Sequence, residues 1–104
     1  MENEQIIKVL EDLGVESDIL GFKCLYEMIL LSQRQDENIA LETNFPILVS
    51  KFYKNGTQIE RAIRYVLYQM KKKQAPVYQS LFIEEPEMSD VVSTINDYLN
   101  TQTS

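Results

Sequence analysis

The chain has no histidine and a single cysteine, Cys24. A disulfide framework needs cysteines in pairs, and a structural zinc site needs about four Cys or His ligands. Neither can be built within one copy of this chain. Only three glycines and three prolines interrupt the 104 residues. A β-sandwich or barrel turns many corners and consumes more of both, so their scarcity favours helices. No apolar run approaches the ~20 residues that span a bilayer. The opening residues, MENEQIIKVLED, are acidic and lack the basic region and cleavage site of a signal peptide. The expectation is a cytoplasmic protein with no membrane partner.

Catalytic signatures are equally scarce. There is no histidine base, no glycine-rich phosphate loop and no nucleophile motif. Cys24 lies in an apolar stretch without a clear cationic neighbour and reads as a small buried hydrophobe. Glu84, Glu85 and Glu87 fall in a polar stretch and read as a solvated run. These features predict a protein that is not an enzyme and that takes no cofactor or metal.

What is present suits one folded unit. The length fits a single core, and with 44% hydrophobic and 25% charged residues the chain is too apolar to be disordered throughout. Its charge is uneven. The formal total is −6, yet between Lys51 and Lys73 seven basic residues face one acid, Glu60. That window is +6, and the remainder, with 3 basic and 15 acidic residues, is −12. A nucleic acid responds to the local patch it meets, so the asymmetry says more than the sum. A basic helix that is merely solvated is the alternative.

Hydrophobic periodicity divides the chain into helices. Ile6, Ile7, Val9, Leu10 and Leu13 mark a first helix over 3–13, stopped by Gly14. A second, over about 18–33, is capped by Ser17 and has a wide apolar face, which suggests a central position. Gly21 inside it marks a close helix crossing. Asn38–Leu41 reads as a short helical turn. Pro46 reads as the first-turn proline of a third helix, 46–53, ended by Asn55-Gly56, which tolerate positive φ. Thr57 to Glu60 fits a capping box that opens a fourth helix, 57–70. Its apolar face is Ile59, Ala62, Ile63, Val66, Leu67 and Met70, and Lys71-Lys72-Lys73 suits the negative end of its dipole. After Pro76, a short helix over 77–82, an acidic loop and a last helix over 89–99 with Ser89 as cap complete an all-α, six-helix reading. The tail 100–104 reads as frayed.

A short helix, a tight turn and a longer helix with a basic outer face have the form of a helix-turn-helix. In that motif the second helix enters the major groove and its N-terminal residues meet base edges. Gln58, Glu60, Arg61, Arg64 and Tyr65 are the candidate base contacts. An arginine fork bonds guanine O6 and N7 together, and a carboxylate accepts from cytosine N4. Lys51, Lys54, Thr57, Tyr68, Lys71, Lys72 and Lys73 are the candidate phosphate contacts, which position without reading sequence. Each has a structural alternative. Glu60 can simply complete the capping box, Arg61 or Arg64 can pair with Glu60, Tyr65 and Tyr68 can be half-buried packing residues, and the lysines can serve only the helix terminus.

These residues resemble a family. FPILVSKFYKNGTQIERAIRYVLYQM, with IERAIR at Ile59–Arg64, is similar to the recognition-helix region of the C-terminal effector domain of the sporulation response regulators of the Spo0A type. LGVESDILGFKCLYEMI, including Gly21-Phe22, resembles the family's second helix, PVYQSLF the helix after the recognition helix, and MSDVVSTINDYL the last. The resemblance runs from about Ile6 to Leu99. It implies a six-helix domain, a bacterial and nucleoid-associated transcription regulator, that binds double-stranded DNA at boxes of the TGTCGAA type through Glu60, Arg61 and Arg64. It also implies a homodimer on paired boxes, with contacts near residues 77–99; RNA polymerase is a further expected partner, through the acidic surface rather than from the resemblance. Thr57-Gln58 stands where the family has Ser-Arg, and Tyr65 where it has His. The family's receiver domain has no counterpart in these residues, so control is expected through abundance or a partner. A competing expectation is a protein-interaction module that keeps the fold and binds polymerase or another regulator through its acidic surface.

Overall fold

A computed structural model describes residues 3–35, 41–84, 86 and 88–103. They form α1 (Glu4–Asp12), α2 (Leu20–Gln35), α3 (Leu41–Phe52), α4 (Gly56–Lys73), α5 (Pro76–Leu81) and α6 (Met88–Thr103). No strand occurs among the described residues, and the all-α, six-helix expectation holds.

The first helix shows how local chemistry sets its limits. Asn3 is the N-cap, and its side-chain oxygen accepts from the backbone N–H groups of Gln5 and Ile6 at 3.1 and 3.3 Å. The Asn3 N–H donates to the Tyr26 hydroxyl at 2.7 Å, which ties the start of α1 to α2. At the other end Gly14 adopts φ +94°, open to glycine at no steric cost. The bonds Gly14 N–H to Glu11 O and Val15 N–H to Leu10 O complete a Schellman stop. Leu10 and Val15, the apolar pair that accompanies this motif, are both buried.

α2 is the centre of the molecule. Phe22, Cys24, Leu25, Met28 and Ile29 are buried, and α1, α3, α4 and α6 all pack on it. It begins at Leu20, two residues later than Ser17 would cap. Ser17 and Asp18 lie in an exposed turn, and the Ile19 carbonyl accepts from the Lys23 N–H. Gly21 does mark a close crossing. A Cβ there would sit 2.2 Å from Val66 Cγ2 and 2.3 Å from the Ala62 carbonyl oxygen of α4. The backbones of α2 and α4 approach at a distance that only glycine permits, which offsets the ~1 kcal/mol that glycine costs inside a helix.

The boundaries of α3 and α4 also differ from the sequence reading. Pro46 is not a first-turn proline: α3 starts at Leu41 and carries Pro46 inside it. Proline's φ is compatible with a helix, but at this position it gives up the backbone bond to the residue 42 carbonyl and its ring crowds that carbonyl. The turn after α3 also uses other residues than Asn55-Gly56 for its left-handed step. Tyr53 takes φ +55°, while Asn55 is extended and caps α4. The capping box is Asn55 with Gln58: the Gln58 N–H donates to Asn55 Oδ1 at 2.8 Å, and the Asn55 N–H donates to Gln58 Oε1 at 3.0 Å. Thr57 and Glu60 are therefore helix-interior residues and take no part in the cap.

α4 ends at Gln74, which has φ +49°, and Pro76 then opens α5 at a position where its missing N–H costs nothing. α6 starts at Met88, one residue before the expected cap Ser89, and runs through residues 100–103, which the sequence reading leaves in a frayed tail. The Thr101 hydroxyl donates to the Tyr98 carbonyl at 2.7 Å there. The helical turn expected at Asn38–Leu41 falls almost wholly outside the described residues. The buried side chains of α1 to α6 form one apolar cluster, from Ile6 through Met28, Leu48 and Ile63 to Ile95.

Candidate nucleic-acid interface

α4 is anchored by its inner face. Ile59, Ile63, Val66 and Met70 are buried, and Ala62 and Leu67 half-buried, as the 3.6-residue period requires. The same period turns Gln58, Arg61, Arg64, Tyr65 and Tyr68 outward, and all five are exposed. Tyr65 and Tyr68 keep 53% and 59% of their surface open, so neither is a packing residue. A three-residue turn, 53–55, separates α4 from α3, and the two helices pack on each other. Thr57, Lys54 and Tyr53 surround the start of α4 and are all exposed. The candidate base contacts therefore share one face, with Glu60 at its half-buried edge.

The basic residues do not behave as one patch. Lys51 Nζ lies 2.6 Å from Glu27 Oε1 and pins α3 to α2. The Glu27 side chain is only 16% exposed, so this pair is mainly structural. Arg64 Nε donates to Glu60 Oε1 at 2.8 Å, an i,i+4 pair on the helix surface. Both members are well exposed, which keeps its contribution small. Lys73 Nζ donates to the Gly14 carbonyl at 2.7 Å and closes the C-terminal end of α4 onto the α1–α2 turn. Lys72 lies 6.0 Å from the centre of the Tyr68 ring, in weak cation–π range. Among the described residues, Lys54 and Arg61 make neither a hydrogen bond nor an ion pair.

Two features of the face were not foreseen from sequence. Gln69, one turn beyond Tyr65, is 8% exposed. Its Nε2 donates to the Tyr65 hydroxyl at 3.2 Å, and its Oε1 is buried without a partner. A glutamine inside a helix carries no periodic signal that separates it from solvent-facing polar residues. The second feature is the tying of Lys51 and Lys73, whose partners lie far away in sequence.

The Cys24 side chain is buried among apolar residues, and its thiol pKa is pushed up to about 12, first by burial and then by the Glu27 carboxylate. It stays protonated and unreactive at neutral pH. No group of three or more His, Cys, Asp and Glu side chains that could hold a metal ion occurs among the described residues. A shallow cleft of about 220 Å³ between α1 and α6, lined by Gln5, Lys8, Val9, Asp12, Tyr98 and Leu99, includes no residue of α3 or α4. Among the described residues no helix is long and apolar enough to cross a membrane. No protein-family model, curated protein or solved structure matches the chain.

Proposed function

We propose that this chain is a sequence-specific DNA-binding transcription regulator that lays the outer face of α4 in the major groove of a duplex. The observation that carries the reading is the pairing of an anchored inner face with an open outer one. Gly21 and the buried Ile59–Met70 row hold α4 firmly. Gln58, Arg61, Arg64 and Tyr65 project from the opposite side behind a short turn. Arg61 offers a guanidinium with no competing partner among the described residues, suited to guanine O6 and N7. Gln58 has its Oε1 engaged by the Asn55 N–H, which leaves its amide N–H₂ to donate. Lys54, Thr57, Tyr68, Lys71 and Lys72 flank that row and are the phosphate contacts of this reading. Lys51 and Lys73, expected as phosphate contacts, serve mainly to fasten α3 and α4.

The resemblance to the sporulation effector domains belongs to the same reading. It adds boxes of the TGTCGAA type, a bacterial, nucleoid-associated setting and a homodimer on paired boxes with contacts along α5 and α6, while RNA polymerase is a partner for the acidic face. The test is selection of bound duplexes from a random-sequence pool. Enrichment of one short motif, with a guanine whose preference disappears in Arg61→Ala, is the expected result. A pool that shows no motif after repeated rounds contradicts the reading.

One observation favours a second reading. Lys51, Arg64 and Lys73 are each engaged within the protein, in a chain of formal charge −6. A module that binds polymerase or another regulator through its acidic surface needs no free cations. A stoichiometric protein complex that is indifferent to Arg61→Ala supports that alternative.

A further inference from the structure

Resting on the DNA-binding reading, we propose that Gln69 is a positioning residue that fixes Tyr65 as a hydrogen-bond donor toward DNA. Gln69 sits on α4 between the buried row and the outer face, and its side chain is almost fully removed from water. A buried amide with one half unpartnered lowers stability, and a leucine of similar size would avoid that loss. The residue is therefore poorly explained by packing. Its one hydrogen bond reaches outward: Nε2 donates to the hydroxyl of Tyr65, whose ring is half exposed beside Arg61 and Arg64. A phenol has one proton and can both accept and donate. With its acceptor side taken by Gln69, the Tyr65 O–H points away from the protein and has its proton to give. The groups on a duplex that match it are acceptors: a phosphate oxygen, or N7, O6 or O4 on a base edge. Holding the ring also removes rotamers that a free tyrosine would lose on binding.

The test uses the full chain in four forms: wild type, Tyr65→Phe, Gln69→Leu and the double variant. Binding to a selected duplex and to a scrambled one is followed beside thermal unfolding. Each single variant is expected to bind the selected duplex about three- to tenfold more weakly, the range of one hydrogen bond. The double variant should lose no more than either single one, and Gln69→Leu should melt at the wild-type temperature or above it. A loss confined to the selected duplex puts the acceptor on a base edge, and an equal loss on both puts it on a phosphate. If Gln69→Leu binds as wild type does, or if the two losses multiply, the positioning role is wrong while the DNA reading stands. If the wild type binds no duplex at low salt, both fall.

Discussion

At its N-terminal end α4 presents Gln58 and Arg61 to solvent, with Lys54 in the turn just before it, and neither Lys54 nor Arg61 has a polar partner among the described residues. At its C-terminal end Lys73 reaches back 59 positions to the Gly14 carbonyl, and Lys72 leans over Tyr68. In sequence the two ends look alike, each a basic segment of one helix. In the folded chain the cations of the first are open, while Lys73 of the second is fastened. Local positive charge is thus a poor measure of a binding surface until the partner of each cation is known. An effective interface needs a rigid support as well as free groups, and the C-terminal end of α4 supplies part of that support.

Substitutions can separate the two roles. The largest effect is expected from Gly21→Ala, which drives a methyl group into Val66 and the Ala62 carbonyl. The clash exceeds the gain in helix propensity, and a loss of about 3 kcal/mol in a denaturant titration is expected. Both ends of α4 lose their support together. Arg61→Ala should leave unfolding unchanged and weaken specific duplex binding by about 1–3 kcal/mol. Lys51→Met leaves the largely buried Glu27 carboxylate without its cation, and about 1 kcal/mol of stability should disappear with duplex preference intact. Lys73→Met should cost about 0.5–1 kcal/mol of stability and shift DNA affinity far less than Arg61→Ala. If Lys73→Met instead weakens binding as much as Arg61→Ala does, the distinction between the ends is wrong. Smallest of all is Glu60→Ala, which breaks an exposed pair and should change stability by less than about 0.5 kcal/mol in thermal melts.

Much of the fold is legible in the sequence because it rests on local rules. The 3.6-residue period gives the inner and outer faces of α4, Gly14 gives the end of α1, and Gly21 announces a crossing. The failures occur where two local rules compete. Thr57 with Glu60 and Asn55 with Gln58 both satisfy a capping pattern two residues apart, and the extended backbone of Asn55 decides for the second pair. Pro46 fits a first helical turn, but the helix starts ahead of it at Leu41, against the local cost of a lost backbone bond and a ring crowded on the residue 42 carbonyl. In the site, exposure follows from period alone, so Gln58, Arg61, Arg64, Tyr65 and Tyr68 are found. The engagement of Lys51 by Glu27, of Lys73 by Gly14 and of Tyr65 by Gln69 depends on packing. The first two join distant parts of the chain, and the third hides in an ordinary i,i+4 spacing.

The most direct measurement is a fluorescence anisotropy titration of a labelled duplex carrying two TGTCGAA-like boxes, beside a scrambled duplex, for wild type and Arg61→Ala at several salt concentrations. The account predicts tighter binding to the boxes than to the scramble, and loss of that preference in the variant. It also predicts a slope of log affinity against log salt near −3, set by the three cationic phosphate contacts of this reading, Lys54, Lys71 and Lys72. Equal affinity for both duplexes, unaffected by Arg61→Ala, or no binding at low salt, would contradict it.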